Sequence, residues 1–206
     1  MSRMDIRLLL VSHASTAAQR AARFPDDGPL DARGLAEIEA ARPRLATPND
    51  ATTFTSPAVC ALETAQALGL APTLDNRLAD INYGRWRGRR LAELALEAPD
   101  DLAAWTREPD AAPQGGESFS ELVRRVGGWL DALEPDLDRA PAETAHAASN
   151  RPYTVIAVTH APLLRAAIVH TLGASPAVFP RIEIAPLSVV ELRRSPRGWT
   201  WWPAQN

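Results

Sequence analysis

The stretch "IRLLLVSHAST", residues 6–16, decides the fold. Its apolar run, Ile6–Val11, has the length of a strand and gives way abruptly to His13 and small residues. A continuous apolar run of this kind is typical of a strand that is covered on both faces. The stretch "YTVIAVTH", residues 153–160, repeats the pattern and ends in His160. The sequence therefore predicts two buried strands, each followed closely by a histidine.

Further strand and helix patterns alternate along the chain. They predict a helix at 30–45, a strand at 51–56, a helix at 57–70, a helix after His160 and a terminal hairpin at 188–204. Asp31 is the expected N-cap of the first helix, while Pro57 and Gly69 are expected in the first turn and at the end of the second. This alternation predicts a three-layer α/β/α sandwich with a mostly parallel central sheet.

The chain of 206 residues has the size of a single domain. Its 46% hydrophobic and 23% charged residues are typical of a globular protein. Short helical pieces interrupted by proline and glycine predict a cap or insertion at about 78–135. The polar residues 138–152 contain few large apolar side chains, and we expect a mobile loop there.

Composition excludes several classes of protein. A net charge of -3 gives no bias towards nucleic acid or an anionic membrane, and no apolar run has membrane-spanning length. The single cysteine, Cys60, excludes an internal disulfide and a cysteine-rich metal site. We expect a cytoplasmic protein.

Tryptophans at the C-terminus are expected to pack on the sheet, with a homodimer contact as the alternative.

Both strand-end histidines lie where ligands bind in α/β sheets, at the carboxyl ends of the strands. Two histidines in equivalent positions favour a paired site over two separate structural roles. No metal-ligand spacing accompanies either residue, and the nucleophile motif G-x-S-x-G is absent. Imidazole is therefore predicted to act directly, as nucleophile or proton donor. His146 and His170 lack this placement and are predicted to be surface or packing residues.

Six segments in order resemble those of the histidine phosphatase superfamily, which includes the cofactor-dependent phosphoglycerate mutases and the α-ribazole phosphatases. They are "LLLVSHAST", "GPLDARG", "TSPAVCALETA", "LADINYGRWRG", "PQGGES" and "VTHAPLLRA". The resemblance implies a phosphoglycerate mutase-like fold. It also implies that His13 is the nucleophile that takes up a phosphoryl group and that His160 helps to hold its oxygens. Asp80 matches the carboxylate that protonates the leaving oxygen, although the family more often has the longer glutamate.

Four positions depart from the family pattern. Ser12 and Cys60 stand where the family has pocket arginines, and Ala14 and Ala161 replace glycines beside the two histidines. A charge-assisted hydrogen bond contributes about 1.5–3 kcal/mol, and arginine makes such bonds in bidentate form. Loss of both arginines is therefore expected to weaken phosphate binding strongly.

Other polar groups could compensate for this loss. Arg23 matches the family's Asn-Arg-Phe stretch, and Arg20 lies one helical turn before it. The hydroxyl groups of Ser12 and Ser15 are weaker, neutral substitutes. The expected substrate-binding positions are Ser12, Ser15, Arg23, Cys60 and Ala161.

Two functions remain open at this point. The first is a weak or specialised phosphohydrolase that acts on a small phosphorylated metabolite through phosphohistidine, without a metal or nucleotide cofactor. The second is a catalytically degenerate member of the fold that binds a ligand or a protein. Mutase activity is disfavoured, because a bisphosphate substrate would demand more positive charge than this pocket offers.

Overall fold

A six-stranded sheet lies at the centre of the computed structural model, which describes residues 5–45, 48, 50–133 and 152–202. The strands are β1 (Ile6–Ser12), β2 (Thr52–Thr55), β3 (Thr73–Leu74), β4 (Tyr153–Thr159), β5 (Val189–Ser195) and β6 (Gly198–Trp202). Their order across the sheet is β3-β2-β4-β1-β5-β6. The first four strands pair in parallel, while β5 and β6 are antiparallel. The predicted strands and the mostly parallel sheet are confirmed.

Helices cover both faces of this sheet. They are α1 (Ala17–Arg20), α2 (Ala32–Ala41), α3 (Val59–Ala67), α4 (Leu91–Glu97), α5 (Pro99–Arg107), α6 (Phe119–Asp131) and α7 (Ala161–Thr171). The side chain of Asp31 caps α2 by accepting from the Gly34 amide at 3.0 Å, as predicted. The prediction that Pro57 lies in the first turn of α3 is wrong, because Pro57 precedes the helix. The Ser56 amide still donates to Val158 of β4, so α3 begins only at Val59.

Alternate residues of the central strands supply the two sides of the core. Ile6, Leu8 and Leu10 belong to a cluster shared with α6 and α7. The neighbours Leu9 and Val11 pack with α3 on the opposite face. The α/β/α sandwich follows from this alternation, because each strand must be covered on both faces. Among the described residues, no helix is both long and apolar enough to cross a membrane.

A cluster of aromatic rings joins the segment after β1 to the segment between β3 and α6. Phe24 lies 5.0 Å from Tyr83 and 5.5 Å from Trp86, and Trp86 lies 5.6 Å from Trp105, between ring centroids. Trp105 in turn contacts Phe119 of α6 at 4.9 Å. The predicted cap range of about 78–135 thus includes a helix, α6, that packs in the principal core. The predicted mobile loop lies, apart from Pro152, outside the described residues.

The closest approach of α6 to α7 depends on Gly127. A Cβ atom at this position would lie 2.4 Å from Nδ1 of His170, so only glycine fits without a shift. This contact gives His170 the packing role predicted for it. The next residue, Gly128, has no atom within 4 Å of such a Cβ.

We therefore expect opposite effects from alanine at these two adjacent positions. Gly127→Ala lowers the free energy of unfolding by about 1–3 kcal/mol because the new methyl group overlaps the His170 ring, which must be displaced. Gly128→Ala raises it by about 0.5–1 kcal/mol because the unfolded chain loses freedom and nothing clashes. Urea denaturation of both variants measures the difference. Equal effects at the two positions would contradict this account of the packing.

Candidate active site

The carboxyl ends of three parallel strands meet at one cavity of about 890 Å³. Because β4 lies between β1 and β2, the residues that follow these strands become neighbours: His13, Ser56 and His160. Backbone hydrogen bonds fix this arrangement. The amide of His13 donates to the carbonyl of Thr159 at 2.8 Å, and that of Ser56 donates to Val158 at 3.0 Å. All three side chains line the cavity.

The two histidines are in direct contact. Their ring centroids lie 4.9 Å apart with the planes inclined at 70°. His13 and His160 are also almost completely buried, with only 4% and 2% of their surface exposed. The structure thus brings together the pair that their strand-end positions predict.

The hydrogen bonds of His13 determine which ring nitrogen is free. Its Nδ1 lies 2.7 Å from the carbonyl oxygen of Ala14, which can only accept, so Nδ1 carries the proton and Nε2 has a lone pair. The Ala14 amide is held in turn by the Thr64 hydroxyl at 3.1 Å. Burial, together with the neighbouring His160, lowers the pKa of His13 to about 4. This ring is therefore neutral and nucleophilic at neutral pH.

His160 is held by a residue that the sequence reading did not assign. Its Nε2 lies 2.9 Å from the hydroxyl of Ser56, which directly follows β2 as the histidines follow β1 and β4. This position directly after a strand, which Ser56 shares with the two histidines, is the feature of the sequence that could have identified it. Nδ1 of His160 is buried without a hydrogen-bond partner among the described residues, 3.5 Å from a carboxylate oxygen of Asp80. Burial lowers the pKa of His160 to about 3.

Asp80 is positioned through its backbone by Arg125 of α6, a second residue that the sequence reading missed. The Arg125 guanidinium donates to the carbonyls of Ala79 at 3.0 Å and Asp80 at 3.3 Å, and it pairs with Glu117 at 2.8 Å. The Asp80 side chain accepts from the Ile81 amide at 2.8 Å. Burial raises the pKa of Asp80 to about 6, so this carboxyl group can hold a proton in mildly acidic solution.

Cys60 lies beside both histidines. Its thiol sulfur and one ring nitrogen from each of His13 and His160 all lie within 4.8 Å of one another. The sequence shows no metal-ligand spacing around either histidine, but these three side chains, which come from distant parts of the chain, could hold a metal ion. Burial, with the nearby carboxylates Asp80 and Asp27, raises the pKa of the Cys60 thiol to about 12.

The two candidate compensating arginines have other partners. Arg23 does line the cavity, but its guanidinium donates to the carbonyl of Gly88 at 3.0 Å. Arg20 donates to the Ser15 hydroxyl at 2.8 Å and pairs with Asp31. Among the described residues, the cavity lining includes Arg23 but not Arg20.

Three predicted substrate-binding residues are absent from the described lining of the cavity: Ser12, Ser15 and Ala161. Ser12 is 2% exposed and its amide donates to Ser188 within the sheet. The Ser15 hydroxyl donates to the carboxylate of Glu37 at 2.5 Å. Ser15 is therefore placed differently from the expectation: its hydroxyl is hydrogen-bonded to Glu37 of α2, and Ser15 does not belong to the described lining of the cavity.

Charged residues that the sequence reading did not assign also line the cavity: Asp26, Asp27, Asp31 and Arg87. The aspartates come from the loop after β1, where "FPDDGPLD" made a cluster of acidic residues visible in the sequence. Together with Asp80 they outnumber the two lining arginines, Arg23 and Arg87. The cavity is therefore acidic on balance, unlike a typical anion site.

Comparison with known proteins gives one consistent family. Residues 8–203 match the family model described as histidine phosphatase superfamily (branch 1). Phosphoserine phosphatase 1 of Hydrogenobacter thermophilus is 29% identical over 135 residues, which cover 62% of this chain. Glucosyl-3-phosphoglycerate phosphatase of Mycolicibacterium vanbaalenii is 30% identical over 173 residues, 81% of this chain and 74% of that protein.

A solved structure has the same architecture. Mycobacterial glucosyl-3-phosphoglycerate phosphatase in complex with VO3 gives a TM-score of 0.76 at 25% identity, covering 95% of this chain and 96% of that one. The curated relatives include longer proteins. The matched stretch spans 64% of the Hydrogenobacter enzyme and 50% of an uncharacterized protein from Mycobacterium bovis.

We expect Cys60 to be unreactive in the metal-free native protein. It is 7% exposed, and a thiol with a pKa of about 12 has little thiolate at pH 8. Compared with an ordinary thiol, the thiolate fraction is lower by roughly a thousandfold. Iodoacetamide labelling of native and urea-unfolded protein at pH 8, with chelator present, measures this protection. Equal labelling rates in the two states would show that the thiol is not buried.

Proposed function

This chain belongs to branch 1 of the histidine phosphatase superfamily, and from that premise we propose that it hydrolyses small phosphate monoesters through phosphohistidine at His13. The observation that carries the proposal is the fixed tautomer of His13. The Ala14 carbonyl holds the proton on Nδ1, which leaves the Nε2 lone pair of a neutral, cavity-lining ring. The relatives named as phosphatases support the same class of reaction.

The reaction has two steps. Nε2 of His13 attacks phosphorus, the bond from phosphorus to the ester oxygen breaks, and protonated Asp80 gives its proton to that oxygen as the alcohol leaves. Water then attacks the phosphohistidine and gives a proton to the Asp80 carboxylate. The nitrogen–phosphorus bond breaks, inorganic phosphate leaves, and both residues return to their starting states.

His160 contributes a hydrogen-bond donor for the phosphoryl oxygens, and Ser56 fixes which of its nitrogens carries the proton. When the Ser56 hydroxyl donates to Nε2 of His160, the proton of this neutral ring is on Nδ1, which has no partner among the described residues. A phosphoryl oxygen satisfies that buried donor. The first turns of α3 and α7 begin beside the cavity, at Ala58 and His160, and helix N-termini favour anions.

The charge of the cavity makes this phosphatase a weak or specialised one. A pocket guanidinium contributes about 1.5–3 kcal/mol to phosphate binding, and Cys60 supplies none of this. The aspartates in the lining also repel a phosphate dianion. These observations favour a second candidate, a ligand-binding protein of the same fold that does not turn over phosphate esters.

A phosphatase assay with matched variants separates the two candidates. The substrates are p-nitrophenyl phosphate, phosphoserine and glucosyl-3-phosphoglycerate, and the proteins are wild type, His13→Ala and His170→Ala. We expect His13→Ala to reduce turnover by at least about a thousandfold, because the nucleophile is gone. His170 lies outside the described cavity lining, so His170→Ala keeps the wild-type rate.

Two results would count against the phosphatase. Turnover that survives in His13→Ala would exclude the phosphohistidine route. Absence of turnover with all three esters, together with no acid-labile phosphoprotein after rapid quenching, would favour the ligand-binding candidate.

The proposed roles also predict the pH dependence of kcat/KM. The rate rises with pH as His13 loses its proton, at a pKa of about 4, and falls as Asp80 loses its proton, at a pKa of about 6. The optimum is therefore expected between these values. Asp80→Asn removes the alkaline fall and slows alkyl esters by about 100- to 10,000-fold. It slows p-nitrophenyl phosphate less, because that leaving group needs no proton. A rate that stays flat from pH 4 to pH 8 would contradict both assignments.

A further inference from the structure

The side chains of His13, Cys60 and His160 form a set of metal donors, and the thiol of Cys60 has no role in the proposed phosphoryl transfer. Two ring nitrogens and one thiol sulfur lie within 4.8 Å of one another, and all three residues are buried. Bonds of about 2.0–2.1 Å to nitrogen and about 2.3 Å to sulfur place neighbouring donors of a tetrahedral zinc ion about 3.3–3.6 Å apart. The largest separation in the set needs to close by at most about 1.2–1.5 Å to reach that geometry.

The hydrogen bonds around the rings match the pattern of metal-binding histidines. Such a histidine donates its second ring N–H to an acceptor, which orients the ring and frees the other nitrogen. Nδ1 of His13 donates to the Ala14 carbonyl and leaves Nε2 free. The Ser56 hydroxyl can accept from Nε2 of His160 as well as donate to it, and in that state Nδ1 has a free lone pair.

Nδ1 of His160 provides a separate indication of a missing partner. It is buried and makes no hydrogen bond among the described residues, an arrangement that costs free energy. A carboxylate oxygen of Asp80 lies 3.5 Å away, which is long for a hydrogen bond. The same separation is typical of two donors on one tetrahedral ion. Asp80 therefore lies next to one of the three donors, Nδ1 of His160.

Charge and chemical softness favour a cation such as zinc. Two further aspartates of the cavity lining, Asp26 and Asp27, attract positive charge, while Asp31 is already paired with Arg20. A thiolate with two imidazoles selects zinc or copper over magnesium, calcium or manganese, which prefer oxygen donors. The replacement of a pocket arginine by Cys60 thus changes what the cavity recognises.

We propose that this cavity is a binding site for a thiophilic divalent cation, with Zn²⁺ as the best match, held by His13, Cys60 and His160. On binding, the sulfur–metal bond forms and the thiol proton passes to solvent. The fourth position stays open to the cavity. Because Nε2 of His13 then binds the metal, it is not free to attack phosphorus. This site goes beyond the phosphatase reaction, and the bound cation excludes phosphohistidine formation.

Cobalt(II) is the probe for this site, since its absorption reports both thiolate ligation and tetrahedral geometry. The full chain, first freed of metal with a chelator, is titrated with Co²⁺ and then with Zn²⁺. We expect a cobalt–thiolate charge-transfer band and intense visible bands, which Zn²⁺ abolishes. Cys60→Ser loses the charge-transfer band and at least about 100-fold in Zn²⁺ affinity. Cys60→Arg binds neither ion, while the control His170→Ala behaves as wild type.

Thermal unfolding shows whether a variant that fails to bind the metal is still folded. Zn²⁺ raises the unfolding temperature of wild type and of His170→Ala, but not that of Cys60→Ser. Absence of a thiolate band in wild type, or its survival in Cys60→Ser, would overturn the site. Failure here is distinct from failure of the phosphatase. A metal-free protein that turns over esters but does not bind cobalt when titrated contradicts only the metal site, and one that binds cobalt but shows no turnover when metal-free contradicts only the phosphatase.

Discussion

The register between β1 and β4 is the constraint on which the site depends. Ser12 pairs with Thr159 in this parallel ladder, so the next residues, His13 and His160, emerge side by side. A shift of one residue would exchange the two faces of the strand and bury the wrong side chains. The alternating packing of Leu9 and Leu10 on opposite layers prevents that shift. The position of two reactive groups is thereby fixed by ordinary core packing.

Burial shifts four titratable groups of the cavity towards the neutral form. It lowers the pKa of His13 and His160 and raises that of Asp80 and Cys60. The imidazoles become good nucleophiles and good metal ligands, and the carboxyl group becomes a proton donor in mild acid. The same burial makes a bound dianion costly unless a positive charge accompanies it. In the two proposals, a phosphoryl group and a cation are thus alternative ligands of one set of groups.

Much of the fold was predictable because it follows from local patterns. The apolar runs ending at His13 and His160 indicated parallel strands, whose carboxyl ends meet at one edge, so the pairing of the histidines followed as well. Contacts that depend on the path of distant segments were not predictable. Ser15 was expected near the substrate, but Glu37 of α2 takes its hydroxyl group. The segment around Cys60 indicated a place in the pocket through the family resemblance, but not that the thiol would lie against both histidines.

The aromatic cluster makes one wall of the cavity rigid. Tyr83 lines the cavity and also packs against Phe24 and Trp105, so one wall of the site belongs to a continuous stack of rings. Such a wall cannot move without separating several ring contacts, each of which contributes about 0.5–1.5 kcal/mol beyond its buried area. The cavity is therefore preorganised. A ligand of this cavity would meet a rigid wall, and little of its binding energy would be spent on ordering the protein around it.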